Sequence, residues 1–357
     1  MTQRLVAIFV ALPLTLALFA AALFVPLPYA TYMPGPTINV LGEVNGSETV
    51  SVRGAKTYRD DGELRMTTVS VSPVGDRLSL VGLMRAWFDP HDAVYPYDFV
   101  HPKDVSAEQD QQQGAVDMVT SQDLAIANAL TALGYQVKPT LQVAYVDPDT
   151  PADGALKVRD TLLELNGQKI TGAQMLVKGI RATPAGDSIT LTILRNGKKR
   201  TVTVKPKDSD GVPRVGFTPG RGFTYPFQVA VNIDPNIGGP SAGLMFALAI
   251  YDTLTPGSLT GGGDVAGTGT IDVNGKVGPI GGIQQKIAGA EADGVQLFLV
   301  PPDDCKEALE VDDGSPRLVK APTFESALES VQTWADDHDA TLPSCGDGSR
   351  TTAGAAS

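Results

Sequence analysis

The chain has 357 residues, enough for two or three domains of ordinary size. Apolar residues make up 42% and charged residues 19%, which excludes a wholly disordered chain. The net charge of -12 repels nucleic-acid phosphates, and no Lys/Arg-rich run offsets it, so we expect no nucleic-acid partner. The spacing of the few histidines and cysteines (His91, His101, His338, Cys305 and Cys345) matches no zinc motif. We therefore expect no metal and no cofactor.

An uncharged apolar run occupies residues 5–26 and is long enough for one helix through a bilayer. Arg4 precedes this run, and the next basic residue after it is Arg53, so the positive-inside rule places the remainder outside the cytoplasm. We predict that residues 1–30 are a cytoplasmic N-terminus and a transmembrane anchor, which makes the chain a single-pass cell-membrane protein with its body extracytoplasmic. The alternative is a cleaved signal peptide, because the alanines at 20–22 form a small-residue cleavage pattern.

The following region, residues 31–120, is rich in Val, Thr, Tyr and Pro and is predicted to be mainly β-structure. Two alternating stretches, Glu48–Lys56 and Glu63–Val71, flank the turn sequence Asp60-Asp61-Gly62. This pattern predicts a β-hairpin.

Residues 121–207 combine one helical pattern, which Gly134 ends, with a strand-rich stretch. The strand-rich stretch carries the motifs Thr150-Pro151-Ala152, Leu156–Asp160 and Leu163–Ile170. In these motifs it resembles a PDZ domain of the type found with bacterial proteases. Arg159 stands where that family usually has glycine.

The PDZ resemblance implies that an extended peptide binds by strand addition, with backbone amides holding its terminal carboxylate. The sequence Leu133-Gly134-Tyr135 is the candidate carboxylate loop. The alternative for the same three residues is an ordinary helix end.

The sequence Gly238-Gly239-Pro240-Ser241-Ala242-Gly243 precedes an apolar helical pattern. Amides and the positive dipole end at a helix start would face the hydroxyl of Ser241 and any oxyanion formed there. An ordinary helix cap is the alternative. No histidine is close in sequence, so a base would have to be a lysine whose pKa burial lowers. Lys286 suits this role because Ile283 and Ala290 lie one turn away on its helix, although a solvated charge is the alternative.

Taken together, the motifs Gly239–Gly243, Thr268–Ile271 and Gly275–Lys286 resemble the proteolytic domain of the Lon protease family. We expect this Lon-type α/β domain over residues 211–340. The chain has Gly238 where Lon members often carry an acidic residue.

The Lon resemblance implies specific roles for the matching residues. Ser241 is expected to be the nucleophile, Lys286 the general base and Thr268 a hydroxyl that orients the lysine amine. The backbone amides of Gly239, Ser241 and Ala242 are expected to hold the oxyanion.

No Gly-x-x-x-x-Gly-Lys-Ser/Thr loop is present, so the sequence predicts no ATPase module and argues against a nucleotide binder. The fold expected is α+β and multidomain: a transmembrane helix, a β-rich region, a PDZ domain and a Lon-type domain, with a disordered tail over 344–357. This arrangement resembles the Lon-like PDZ-containing membrane proteases.

The function expected is that of an ATP-independent serine endopeptidase acting on exported or unfolded proteins. The alternative is a catalytically inert PDZ scaffold anchored in the membrane. The partners expected are polypeptide substrates, a peptide ligand of the PDZ domain and the membrane. The sequence leaves the oligomeric state open, with a homo-oligomer among the options.

Overall fold

A computed structural model describes residues 3–44, 46–103, 105–209 and 211–348. The α-helices are α1 (Gln3–Phe24), α2 (Leu80–Phe88), α3 (Tyr97–Val100), α4 (Ala107–Ala132), α5 (Ala173–Arg181), α6 (Gly243–Leu254), α7 (Ile283–Ala292), α8 (Cys305–Ala308) and α9 (Phe324–Asp336). Two short 3-10 helices cover Pro302–Asp304 and Cys345–Gly348.

The strands of the first half are β1 (Tyr29–Asn39), β2 (Glu43–Val44), β3 (Ser47–Glu48), β4 (Val50–Arg53), β5 (Glu63–Val71), β6 (Ala93–Pro96), β7 (Lys138–Val146), β8 (Thr161–Leu165), β9 (Gln168–Lys169) and β10 (Ile189–Arg195). Those of the second half are β11 (Lys198–Val204), β12 (Lys207–Ser209), β13 (Val212–Arg214), β14 (Phe217–Thr224), β15 (Gln228–Val231), β16 (Asp264–Gly267), β17 (Thr270–Ile271), β18 (Val277–Gly278), β19 (Leu297–Val300) and β20 (Arg317–Lys320).

One mixed sheet unites the two ends of the chain, with the strand order β20-β19-β16-β5-β1-β6. Strand β5 runs antiparallel to β1 and parallel to β16, whose residues lie about 200 positions later in sequence. The β-rich region 31–120 and the expected domain 211–340 therefore share one sheet, which differs from the predicted division into separate units. The predicted hairpin is also absent from the described strands, because β4 pairs with β15 instead of β5.

Helices α4 and α6 form the centre of the main core. Helix α6 is apolar on all sides and is buried along nearly its whole length, as expected of a central helix. Helix α4 contributes Ala125, Ile126, Ala129 and Leu130 to the same cluster of buried side chains. The predicted division grouped this helix with the PDZ domain. In the structure α4 begins 14 residues earlier than predicted, at Ala107, and its apolar face packs with the serine-bearing half.

The PDZ-like region has its own sheet and its own core. Its strand order is β11-β10-β8-β7-β14, and α5 packs Leu176 and Ile180 against Leu191 and Ile193. Strand β14 pairs antiparallel with β7 along its length and leads back towards the main core. This region is therefore inserted between α4 and β15 of the main core.

The predicted membrane anchor is contradicted by the structure. A helix needs about 20 consecutive apolar residues to cross the hydrocarbon core of a bilayer. Among the residues that the structure describes, no helix is long and apolar enough to meet this requirement. The transmembrane helix over residues 1–30 was therefore a wrong prediction. So was the single-pass cell-membrane location with an extracytoplasmic body.

A disulfide bond joins Cys305 to Cys345 across 40 positions of sequence. It ties the C-terminal segment to α8, beside the cluster formed by Ile283, Ile287 and Phe298. Of the predicted disordered tail 344–357, residues 349–357 lie outside the described residues.

Candidate active site

Ser241 lies in a loop, residues 238–242 (the serine loop), directly before α6. Gly239 has a φ of +92°, a left-handed conformation that favours glycine. The carbonyl oxygen of Ser241 accepts hydrogen bonds from the Gly269 N–H at 2.7 Å and from the Thr268 Oγ1 at 3.1 Å. These two bonds fix the serine loop against the two-residue segment between β16 and β17.

Lys286 lies in α7 and is only 2% exposed. Ile283, Ile287 and Ala290 on the same helix are also buried, so the lysine stem lies in an apolar cluster. Its Nζ lies 2.9 Å from the Oγ of Ser241 and 3.0 Å from the Oγ1 of Thr268. The structure thus brings together three predicted residues that belong to three separate elements.

Burial lowers the pKa of Lys286 from 10.5 to about 8, and the nearby Asp304 carboxylate opposes this shift. Asp304 is itself buried, and its Oδ2 accepts a hydrogen bond of 3.1 Å from the Ile280 N–H, in the loop that leads to α7. Burial raises the pKa of Asp304 to about 6. The lysine can therefore hold a neutral amine in a useful fraction of molecules near pH 7–8.

The predicted oxyanion donors do not all remain available. The N–H of Gly239 donates to the carbonyl oxygen of Gly114 in α4 at 3.0 Å, which corrects its assignment as an oxyanion donor. The contact arises because α4 packs along the serine loop, an approach between segments 125 positions apart that no local motif indicates. Ser241 and Ala242 are placed at the start of α6, as their proposed role requires.

A cleft opens on both sides of the Ser241–Lys286 contact. On one side lies a cavity of about 290 Å³ whose lining includes Met66 and Met118. On the other side a cavity of about 460 Å³ includes Tyr32 in its lining. These lining residues come from β5, α4 and β1.

Sequence reasoning missed Asp304, Tyr32 and Met118 at this site. Asp304 follows a buried strand within the sequence Pro301-Pro302-Asp303-Asp304, and this position alone carries no signal that distinguishes it from Asp303. Tyr32 and Met118 lie outside the motifs that resemble the Lon domain. Only knowledge of the shared sheet and of the packing of α4 could have placed them here.

The predicted carboxylate loop of the PDZ region is part of a helix end. The N–H groups of Leu133, Gly134 and Tyr135 donate to the carbonyl oxygens of Ala129, Thr131 and Leu130 respectively. Gly134 has a φ of +80°, as is common where a helix terminates. This geometry favours the ordinary helix end, because the three amides are already used.

The described ranges contain no cluster of three or more His, Cys, Asp or Glu side chains that could hold a metal ion.

Comparisons with known families give matches in two regions. The model for the PDZ domain matches residues 131–205. The model for the Lon protease (S16) C-terminal proteolytic domain matches residues 234–324, which include the serine loop, Thr268 and Lys286.

The chain combines a PDZ domain with a Lon-type proteolytic domain. This confirms the domain types predicted from the sequence motifs and supports a multidomain α+β fold.

Individual relatives match this chain over part of their length. The Lon protease of Haemophilus influenzae is 36% identical over 93 residues, covering 26% of this chain and 11% of that protein. Lon protease 2 of Bacillus subtilis is 30% identical over 141 residues, covering 40% of this chain and 21% of that protein. The chain therefore spans about a tenth to a fifth of the length of these two relatives.

Among solved structures, the PDZ domain of the SdrC-like protein from Listeria innocua is similar to this chain at 26% identity. The match covers 22% of this chain and 92% of that domain, with a TM-score of 0.22.

Proposed function

We propose that this protein is an ATP-independent serine endopeptidase that cleaves unfolded or exposed polypeptide segments with a dyad of Ser241 and Lys286. The proposal depends above all on one observation: a buried lysine amine lies 2.9 Å from the serine hydroxyl oxygen. A pKa of about 8 leaves about a tenth of the Lys286 amines neutral at pH 7, so the group can act as a base.

The reaction begins when the neutral Nζ of Lys286 accepts the hydroxyl proton of Ser241. The Oγ then attacks the peptide carbonyl carbon, and the negative charge that develops on the carbonyl oxygen is held by the amides of Ser241 and Ala242. The lysine ammonium next gives its proton to the leaving amine, which breaks the peptide bond and leaves an acyl-enzyme. A water molecule, deprotonated by the same lysine, releases the acid product and restores the serine.

Thr268 has a positioning role in this proposal. Its Oγ1 accepts a hydrogen bond from the Nζ of Lys286 and donates one to the carbonyl oxygen of Ser241. One side chain thus connects both members of the dyad, and it restricts the lysine amine to the neighbourhood of the serine hydroxyl.

The PDZ domain is proposed to bind extended polypeptide. A cleft of about 480 Å³ lies between α5 and residues 213–218, and its lining includes Val177, Ile180 and Phe217. Charged and polar side chains, among them Asp147, Arg181 and Arg214, complete the lining. A cleft between a helix and an extended segment suits a peptide added as a strand.

The test is incubation of the full chain with an unfolded protein and with a short unstructured peptide, each with and without ATP. Cleavage of both without ATP, and no cleavage by the Ser241→Ala variant, is the expected result. An intact fold with no cleavage by the unaltered chain would favour the inert scaffold. Cleavage only in the presence of ATP would contradict the ATP-independent part of the proposal.

A further inference from the structure

Helix α4 contacts the serine loop through two hydrogen bonds. The carbonyl oxygen of Gly114 accepts the Gly239 N–H at 3.0 Å, and the Oγ of Ser121 donates to the carbonyl oxygen of Pro240 at 2.9 Å. Both bonds are made to the two residues directly before Ser241. The position of the nucleophile therefore depends on the position of α4, which lies outside the region that matches the Lon domain.

The same helix contacts the PDZ domain through the residues that follow Ser121. The guanidinium of Arg159 donates from Nε to Asp123 Oδ1 at 2.9 Å and from one terminal nitrogen to Gln122 Oε1 at 2.6 Å. Gln142 of the PDZ sheet donates its side-chain amide to Asp123 as well. Three consecutive residues of α4 thus join the serine loop on one side and the PDZ domain on the other.

The backbone at Arg159 indicates that its side chain matters. Its φ is +68°, in the left-handed region where a residue with a Cβ is strained and glycine is not. An arginine is found at this strained position, and its guanidinium contacts α4. We infer that this contact offsets the backbone strain.

The partner of Arg159 is a buried carboxylate. Asp123 is 2% exposed, and burial raises its pKa while the Arg159 guanidinium opposes that shift. Without this cation the carboxylate would be left uncompensated or would take up a proton, and either change removes the ion pair that joins the PDZ domain to α4. The ion pair therefore fixes α4 more firmly than a pair of exposed charges could.

We propose that Arg159 and Ser121 are positioning residues for Ser241: the PDZ domain, through Arg159 and Asp123, fixes α4, and α4 fixes the serine loop. This inference rests on the proposed function. It adds that the PDZ domain sets the reactivity of the nucleophile in addition to binding polypeptide. Loss of either residue lets the serine loop shift, and a shift of about 1 Å is enough to reduce turnover about 100-fold.

The experiment compares the full chain with Arg159→Gly, Ser121→Ala and the double variant. Arg159→Gly removes the guanidinium and also relieves the backbone strain, so it isolates the contact with α4. Arg200→Ala is the matched control, because Arg200 is an exposed cation of the same PDZ domain. Two readouts are measured: kcat and KM on a short peptide, and hydrogen exchange of the backbone amides of the serine loop, which are those of Gly238, Gly239, Ser241 and Ala242 because Pro240 has no N–H.

In both single variants, kcat is expected to fall about 10- to 100-fold with KM changed less than about twofold, because the nucleophile is displaced while peptide binding is retained. The double variant is expected to lose less than the product of the single losses, since both act on one loop. Amide exchange in the serine loop is expected to accelerate in all three variants and to stay unchanged in Arg200→Ala.

Unchanged kcat in both Arg159→Gly and Ser121→Ala would overturn the inference. If Arg159→Gly does not fold, Ser121→Ala decides, because it removes one hydroxyl and leaves the ion pair intact. If the unaltered chain hydrolyses nothing, the proposed function fails. Amide exchange in the serine loop then tests separately whether Arg159 and Ser121 position this loop. Exchange rates in the variants equal to those of the unaltered chain would overturn the inference.

Discussion

Replacing Lys286 by methionine should stabilise the protein at pH 7 while it abolishes hydrolysis. The lowering of the lysine pKa from 10.5 to about 8 corresponds to about 3 kcal/mol of unfavourable free energy for the charged amine in the folded state. Methionine removes this penalty and fills a similar volume. It also loses the hydrogen bonds to Ser241 and Thr268, worth about 1 kcal/mol each, so the net gain is about 1–2 kcal/mol.

The stability that Lys286→Met gains over the unaltered chain should become smaller as the pH rises. Below pH 8 the lysine is charged in both folded and unfolded chains, and the folded state carries the full penalty. Above about pH 10.5 the lysine is neutral in both states, and the penalty is gone. The stability advantage of Lys286→Met over the unaltered chain should therefore decline as the pH rises from 8 to 10.5.

The assay is thermal unfolding at pH 7 and at pH 10, with Lys276→Met as the matched control because Lys276 is an exposed lysine of the same domain. A net gain of about 1–2 kcal/mol raises the midpoint by about 2–8 °C for a domain of this size. The control should stay within about 0.5 kcal/mol of the unaltered chain. A Lys286→Met variant that is less stable at pH 7, or whose advantage does not change with pH, would refute the assignment of a desolvated amine.

Three further predictions concern the same domain. Ser241→Ala and Lys286→Ala should each abolish peptide cleavage without unfolding the chain, because they remove the nucleophile and the base. Lys286→Arg should also be inactive, because arginine cannot release its proton at working pH. Full activity of either lysine variant would exclude the lysine as base. Asp304→Asn should move the midpoint of the pH–rate profile to lower pH, since it removes the charge that stabilises the lysine ammonium. The amide oxygen of asparagine can still accept the hydrogen bond from the Ile280 N–H. A midpoint at higher pH would contradict the role given to Asp304. Cys345→Ser should lower the free energy of unfolding by about 4 kcal/mol, as expected for the loss of a cross-link between residues 40 positions apart. Denaturant titration of the unaltered chain and of the variant, both without reductant, measures this difference. An unchanged free energy of unfolding would contradict a formed disulfide.

Residues in contiguous motifs were the ones that the sequence could predict. The serine loop and the segment 275–286 carry their glycines, proline and lysine within short stretches of sequence. Their resemblance to the Lon domain therefore predicted one site for Ser241 and Lys286, whose side chains lie 2.9 Å apart in the structure. Thr268 followed from the same resemblance. The geometry of these three residues agrees with the expectation, while their catalytic roles stay proposals.

Contacts between distant segments could not be predicted in the same way. Strand β5 has the alternating pattern of a hairpin strand, yet it pairs with β1 and β16. Its partners are set by packing between strands that lie far apart in sequence, and no local turn signal specifies them. Asp304 and Gly114 reach the active site only because the 3-10 helix Pro302–Asp304 and helix α4 pack around it. Arg159 stood out as a departure from the PDZ pattern, but its bond to Asp123 required the position of α4.

The pH dependence of kcat/KM on a short unstructured peptide tests the Ser241–Lys286 dyad most directly. The free enzyme must hold Lys286 as a neutral amine before the serine can attack, so the value should rise with pH to a plateau. The expected midpoint is about 8, the pKa that burial gives this lysine. A profile that is flat from about pH 5 to 10, or one that falls as the pH rises through 8, would contradict a lysine base at this site.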